Sequence, residues 1–318
     1  MKFLRDLKSK KLSNKTCLLR VDFNVEEGES IEKSPRFISA VNTIKFLNNC
    51  GAKVVILSHR GRPAPLERGI SKSRFLISKK FTLKPFVKVL TKILKKPVVF
   101  ADLEEKNFKE KIRNSKPKTV FLLENLRFYP GEDKNDKNFA KKIAALGDFY
   151  VNDAFAFSHR KTASMVAITK FLPSYAGPTL ENEIKHLDAA LKQYKKPLAI
   201  ILGGVKISTK LELIKNFFSK ADYFLIGSAM ADNFLVAQGL PIGDSVYDPS
   251  ADKRGLARNK KIILPLDYAV ENRKILDIGE KTEKQFANII KKAKTIIWNG
   301  PVGQFEIPKF AKGTNAII

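Results

Sequence analysis

Short apolar runs rich in Val, Ile and Leu alternate along the chain with segments whose apolar residues recur at helical spacing. This alternation constrains the fold more than any other feature. The runs that qualify as strands are residues 17–21, 54–58, 98–101, 120–123, 149–152, 198–202, 223–226, 262–264 and 295–298. Continuous apolar runs, rather than alternating ones, mark parallel strands covered on both faces. Between them, Phe37, Val41, Ile44 and Leu47 keep a helical period ahead of Gly51, and Phe139, Ile143 and Leu146 do so ahead of Gly147. Each glycine is a predicted helix stop. Strand, helix, strand is the repeating unit, which predicts an α/β protein with Rossmann-like parallel sheets between layers of helices. A length of 318 residues suits about two domains. The turn-rich stretch 172–178 leads into Leu180, Ile184, Leu187 and Leu191 at helical spacing. Domains are therefore expected at residues 1–177 and 194–318, with 178–193 a connecting hinge helix.

The chain carries 59 Lys and Arg against 32 Asp and Glu, a formal net charge of +27, so its partner is expected to be anionic. Nucleic acid, an acidic membrane and phosphorylated small molecules all meet that description. No apolar run approaches the roughly 18 residues of a spanning helix. Residues 1–13 break up their few apolar side chains with charge, as no secretory leader does, and a cytoplasmic protein is expected. The strand ends lack the aromatics that would interleave with basic residues to stack bases, which disfavours nucleic acid. Cys17 and Cys50 lie far apart outside any Cys-x-x-Cys pattern, so neither a disulfide framework nor a zinc site is indicated. Phosphorylated small molecules fit best.

In open parallel sheets, ligands bind beyond the carboxyl ends of the strands, where loops and helix N-termini converge. The polar residues of the first half follow that rule. Strand 17–21 runs into Asp22 and Asn24, strand 54–58 into His59, Arg60 and Arg62, strand 120–123 into Glu124 and Arg127, and strand 149–152 into Asp153, His159 and Arg160, while Arg36 opens the first helix. Guanidiniums crowded without counter-charge repel by about 4 kcal/mol per pair at ~4 Å and an effective dielectric of ~20. Such a rim calls for a polyanion, and arginine favours bidentate capture of carboxylate or phosphate. Asp22 and Asn24 are suited to orient a hydroxyl on the same ligand. In the second half, strand 198–202 ends in Gly203 and Gly204, which permit close backbone approach, and Lys206 and Lys210 follow four residues apart, aimed from one helical face at one anion. Neither G-x-x-x-x-G-K-[ST] nor G-x-G-x-x-G occurs, so a GTPase-type or ordinary dinucleotide site is disfavoured. Strand 295–298 leads into Asn299 and, further on, Glu306, an amide and a carboxylate suited to ribose hydroxyls.

These blocks resemble phosphoglycerate kinase: Arg20-Val21-Asp22-Phe23-Asn24, Ser58-His59-Arg60-Gly61-Arg62-Pro63, Glu124-Asn125-Leu126-Arg127, Asn152-Asp153-Ala154-Phe155, Gly203-Gly204-Val205-Lys206 and Trp298-Asn299-Gly300-Pro301, in the family's order. The resemblance implies reversible phosphoryl transfer between 1,3-bisphosphoglycerate and ADP, in a monomer whose two domains close about a hinge. It implies that Asp22, Asn24, Arg36, His59, Arg62, Arg127 and Arg160 contact 3-phosphoglycerate. Arg36 and Lys206 would be catalytic, and Gly203, Gly204, Lys206, Lys210, Asn299 and Glu306 would meet ADP or ATP, with Mg2+ as cofactor. Departures fall at Thr209, Ser228-Ala229, Arg60 and Ala156-Phe157. The family's Gly-Gly-Gly-Asp-Ser/Thr motif, whose Asp holds the magnesium, does not occur in these 318 residues. An incomplete second domain with an unassigned metal site is expected, the alternative function being an impaired fragment that binds 3-phosphoglycerate alone.

Overall fold

The computed structural model describes residues 1–7, 12–25, 28–63, 80–205, 207–249 and 254–318. It divides into two compact units, Met1–His186 and Leu187–Ile318. The division falls inside the helix Pro178–Lys192.

The first unit is built on strands β1 (Thr16–Arg20), β2 (Lys53–Leu57), β3 (Val98–Ala101), β4 (Val120–Leu123), β5 (Phe149–Asn152) and β6 (Ser174–Ala176). They form one sheet in the order β3-β4-β2-β1-β5-β6, parallel throughout. Side chains alternate between its faces with the two-residue period of a strand. Cys17, Leu19, Val54, Ile56, Val120 and Leu122 join one core, together with Phe37 and Ile44 of helix Pro35–Asn49 and Phe86 of helix Lys84–Leu94. Leu18, Val55, Leu57, Phe121 and Leu123 join the other, with Ile112 of helix Phe108–Asn114 and Ile143 of helix Lys137–Ala144. Both faces are thus apolar, which is why the strands read as continuous apolar runs.

In the second unit β7 (Leu198–Leu202), β8 (Tyr223–Ile226), β9 (Ile262–Ile263) and β12 (Thr295–Asn299) form a parallel sheet in the order β12-β7-β8-β9. Leu198, Ile200, Phe224 and Ile226 face one core, and Ile201 and Leu225 the other. An antiparallel hairpin of β10 (Tyr268–Glu271) and β11 (Lys274–Ile278) completes the unit. Among the described residues no helix is long and apolar enough to cross a membrane.

Every predicted strand is present, with ends shifted by a residue at most, and three strands appear that the sequence did not announce. β6 has three residues and follows Pro173, too short for any period to show. The hairpin turns on Asn272 and Arg273, both at positive φ, a geometry usually marked by Asn-Gly, and its strands mix Glu271, Lys274 and Asp277 with apolar residues. Gly51 stops its helix at φ +84° as expected. Gly147 does not play that part: its helix ends at Ala144, and a Cβ at 147 would stand 2.6 Å from Leu18 Cγ. The glycine is there for close packing on β1.

One carboxylate sits awkwardly in the second unit. Asp232, on helix Ser228–Ala237, is 1% exposed, and its Oδ1 has no hydrogen-bond partner among the described residues. Burial pushes its pKa up to about 7, whereas an unfolded Asp ionises near pH 4. Above pH 4 the unfolded chain releases a proton that the folded one keeps, so stability falls as pH rises from about 4 through 7. Asp232→Asn is expected to leave stability unchanged near pH 4 and to raise it by up to about 4 kcal/mol above pH 7.5. Denaturant unfolding at the two pH values checks this, and an equal effect at both would contradict it.

Candidate functional site

The carboxyl ends of β1, β2 and β4 are tied together by side chains that add to the backbone hydrogen bonds between them. Ser58 Oγ accepts from Phe23 N at 2.9 Å and donates to Val21 O at 2.9 Å. Buried Asn125 donates to Arg60 O and Phe81 O at 2.8 and 2.9 Å and accepts from Arg127 N at 3.1 Å. Asn24 Oδ1 accepts from Gly61 N at 2.7 Å. Three loops distant in sequence are thereby held rigidly at one sheet edge.

The seven residues that the resemblance assigned to 3-phosphoglycerate, Asp22, Asn24, Arg36, His59, Arg62, Arg127 and Arg160, line a single cavity of about 230 Å³ there, whereas Arg60, Glu124 and Asp153 of the same rim do not. Among the described residues Asp22 is the cavity's only carboxylate; it accepts from Arg36 at 3.2 Å and from Asn24 N at 3.0 Å. An adjoining cavity of about 690 Å³ shares Arg62, Arg127 and Arg160 and adds Lys161 and Asp133. Arg127 donates to Gly61 O, and its Nε lies 3.7 Å from Asp133. Burial, only partly offset by Asp133, lowers its pKa, and Arg160, Arg62 and Arg20 push the same way. His59, 4% exposed, has its pKa driven far below the ordinary imidazole value by burial first and then by Arg20, Arg127, Arg160 and Arg36. Its ring is neutral at physiological pH. Asp153 turns away from the cavity: it accepts from Thr179 N and Leu180 N at 2.7 and 3.1 Å, capping the helix that begins at Pro178.

Beneath the rim lies a layer that the sequence reading did not assign to the site. Arg20, wholly buried, donates from Nε to Ser164 Oγ at 3.0 Å, and Ser164 N donates to the buried Glu132 carboxylate at 3.0 Å. Ser164 Oγ donates to Glu132 as well. Phe157 is an aromatic hub: the guanidinium carbons of Arg20, Arg127 and Arg160 lie 4.7, 5.2 and 5.6 Å from its centroid, and the His59 ring 4.2 Å. Its negative π face attracts all three cations. Arg20, the one charge in the otherwise apolar end of β1, was a visible signal; Phe157 was visible only as a departure from the family pattern.

In the second unit, Gly203 N donates to Asn299 O at 3.1 Å, and a Cβ on Gly203 would stand 1.7 Å from Pro301 O. Only glycine permits that approach of two strand ends. Lys210 Nζ lies 2.8 and 3.0 Å from where Gly204 and Gly300 would carry a Cβ, and burial lowers its pKa. The structure thus gathers Gly203, Gly204, Lys210 and Asn299 at the ends of β7 and β12. Glu306 is exposed in the turn that follows, and Lys206 lies outside the described residues. Among the described residues no group of three or more His, Cys, Asp or Glu could hold a metal ion.

A guanidinium-lined cavity at the edge of one parallel sheet, and a glycine edge with a lysine on another, define an α/β phosphotransferase. The phosphoglycerate kinase family model matches residues 5–318. Phosphoglycerate kinase of Wolbachia sp. subsp. Drosophila simulans is 40% identical over 336 residues, covering 96% of this chain and 81% of the relative. That of Pseudothermotoga lettingae is 41% identical, covering 96% and 82%. Among solved structures, phosphoglycerate kinase from Coxiella burnetii aligns with a TM-score of 0.78 at 33% identity, covering 99% of this chain and 83% of that one. The Pyrococcus horikoshii structure gives 0.79 at 31%, covering 100% and 85%. The chain belongs to the phosphoglycerate kinase family.

Glu132 is the counter-charge of Arg20, so Glu132→Ala leaves a guanidinium buried without compensation. A loss of about 3–5 kcal/mol is expected, with a smaller one for Glu132→Gln. Urea unfolding measures both, and equal losses would show that charge is not what Glu132 supplies.

Proposed function

We propose that the chain moves a phosphoryl group reversibly between the acyl phosphate of 1,3-bisphosphoglycerate and ADP, giving 3-phosphoglycerate and ATP, as a cytoplasmic monomer. The observation that carries this is the cavity itself: four rim guanidiniums and a neutral histidine face a space with a single carboxylate among the described residues. A ligand bearing a carboxylate at one end and a phosphate at the other would neutralise that excess, and planar guanidiniums suit both groups.

In this reading, residues 1–177 form the phosphoglycerate-binding part, 178–193 the connecting helix and 194–318 the nucleotide-binding part. Arg62, Arg127 and Arg160, which also line the adjoining cavity, take the phosphate. Asp22 and Asn24 orient the hydroxyl, and His59 donates to the anion. Arg36, half exposed and steered by Asp22, is free to swing toward the transferring group. The acceptor carboxylate is ionised at neutral pH, so no general base is required, and positioning with charge stabilisation supplies the rate. Gly203, Gly204, Lys210, Asn299 and Glu306 receive the nucleotide, and Lys206 follows the phosphoryl group. Magnesium enters as part of the nucleotide substrate. Mg2+ is ordinarily held by phosphate oxygens with one or two carboxylates rather than by a protein cage, which suits a chain whose described residues offer no such cage. The family match along residues 5–318 favours turnover over a fragment that only binds phosphoglycerate.

Arg62 is exposed, so removing it should not disturb folding. Arg62→Ala is expected to weaken 3-phosphoglycerate binding by about 1.5–3 kcal/mol and leave ADP binding unchanged, as read by titration calorimetry. Unchanged phosphoglycerate affinity would remove Arg62 from the site. Lys210→Met is expected to do the reverse, lowering affinity for ADP by a similar amount, about 1.5–3 kcal/mol, and sparing phosphoglycerate. A coupled assay of 1,3-bisphosphoglycerate consumption tests the reaction as a whole: no ATP formed from ADP would refute it.

A further inference from the structure

We infer that Arg20 locks His59 as the neutral tautomer with its proton on Nε2, making the imidazole a fixed hydrogen-bond donor to the anion in the cavity. The inference rests on the proposed function only in naming that anion; the lock itself follows from hydrogen-bond accounting around a buried guanidinium.

Arg20 is wholly buried, so each of its three nitrogens needs a protein acceptor. Nε donates to Ser164 Oγ at 3.0 Å, Nη1 to Val21 O, and Nη2 lies 3.0 Å from His59 Nδ1. A guanidinium has no acceptor. Nδ1 must therefore accept, which leaves the single proton of a neutral ring on Nε2. Turning the ring over would put carbon where Nδ1 stands and orphan Nη2, at a cost of about 1–3 kcal/mol. Arg20 cannot drift away, because Ser164 and through it Glu132 hold its far side.

A second proton on the ring is opposed from every direction. Arg20, Arg127, Arg160 and Arg36 all face His59 with positive charge, Arg62 and His159 line the same cavity, and Phe157 covers the ring at 4.2 Å. The one carboxylate in the cavity among the described residues, Asp22, is already engaged by Arg36, and Glu132 lies on the other side of Ser164. An ordinary histidine would change charge near pH 6.5, altering the cavity as the phosphate of a ligand titrates in the same range. A locked neutral donor keeps the hydrogen bond constant while the ligand's charge changes.

The chain has three histidines, so 15N-edited NMR of the imidazoles in the intact protein can settle the matter, with His159→Gln and His186→Gln to assign signals. The expected result is one His59 tautomer, protonated at Nε2 and bare at Nδ1, with no titration shift between about pH 5.5 and 8. A proton on Nδ1, or a titration within that range, would overturn the inference. In the double variant Arg20→Met with Glu132→Gln, which removes the donor and its counter-charge together, His59 is expected to become a mixture of tautomers. A pure Nε2–H ring there would show that Arg20 does not set it. If that variant does not fold, the wild-type spectrum still decides the tautomer. Added 3-phosphoglycerate should shift the Nε2 signal more than Nδ1. Unmoved signals would count against the donor role and the proposed ligand, not against the lock.

Discussion

Like-charge repulsion is the constraint around which the first unit is organised. Arg20, Arg127 and Arg160 crowd one aromatic ring, Phe157, and Arg36 and Arg62 stand at the same cavity, an arrangement that must be stabilised before any ligand arrives. Three devices do so at different depths. Deepest, Glu132 sits beyond Ser164 and supplies a full negative charge to Arg20. In the middle, Phe157 offers its π face, worth about 0.5–2 kcal/mol for each cation. Outermost, Asp22 and Asp133 pair with Arg36 and Arg127, each pair joining one buried and one exposed side chain. None of the three fills the centre of the cavity, so the potential there stays positive.

The sheet makes this crowding possible because parallel strands end together. Beyond β1, β2 and β4 few backbone bonds continue, such as Leu126 N to Ser58 O at 3.1 Å, and with these alone the loops would separate and the guanidiniums would spread. Ser58, Asn24 and Asn125 prevent that by hydrogen-bonding to backbone across loops 35 to 65 residues apart in sequence. Each is a short polar side chain with few rotamers to freeze. Neutral hydrogen bonds thus fix the positions that the charges exploit, and a change in any of them would act on ligand binding through geometry rather than through charge.

How much of this was legible in the sequence follows from the range of each interaction. The strands were readable because burial on both faces leaves runs such as Val54-Val55-Ile56-Leu57, and the rim residues because they follow those runs directly. The supporting layer was not. Arg20 meets Ser164 across 144 residues, and Ser164 meets Glu132 across 32; no local pattern joins them. Phe157 registers in sequence as one more apolar residue, and only folding shows that three cations converge on it. β6 and the β10-β11 hairpin escaped for a simpler reason, since too few apolar residues repeat in either to set a period. Gly147 was read as a helix stop because sequence shows that a glycine is needed and not whether backbone torsion or space requires it.

The two units handle anions by different means, and the difference lies in the chemistry of their edges. In the first, long side chains with planar heads line the cavity, and the ligand of the proposed function has ends that differ, a carboxylate and a phosphate, so direction would matter and arginine suits both. In the second, the strand ends approach so closely that Gly203 admits no side chain. Among the described residues, backbone and the Lys210 ammonium are what remain to meet a ligand there. An ammonium partly buried over two glycines is poorly hydrated, as its lowered pKa records, and a phosphate brought to it restores the lost solvation. The first site is held together against its own charge, whereas the second is left short of polar partners. In both cases the anion removes a free-energy cost already present in the empty protein, so ligand binding is coupled to the stability of the unit that receives it.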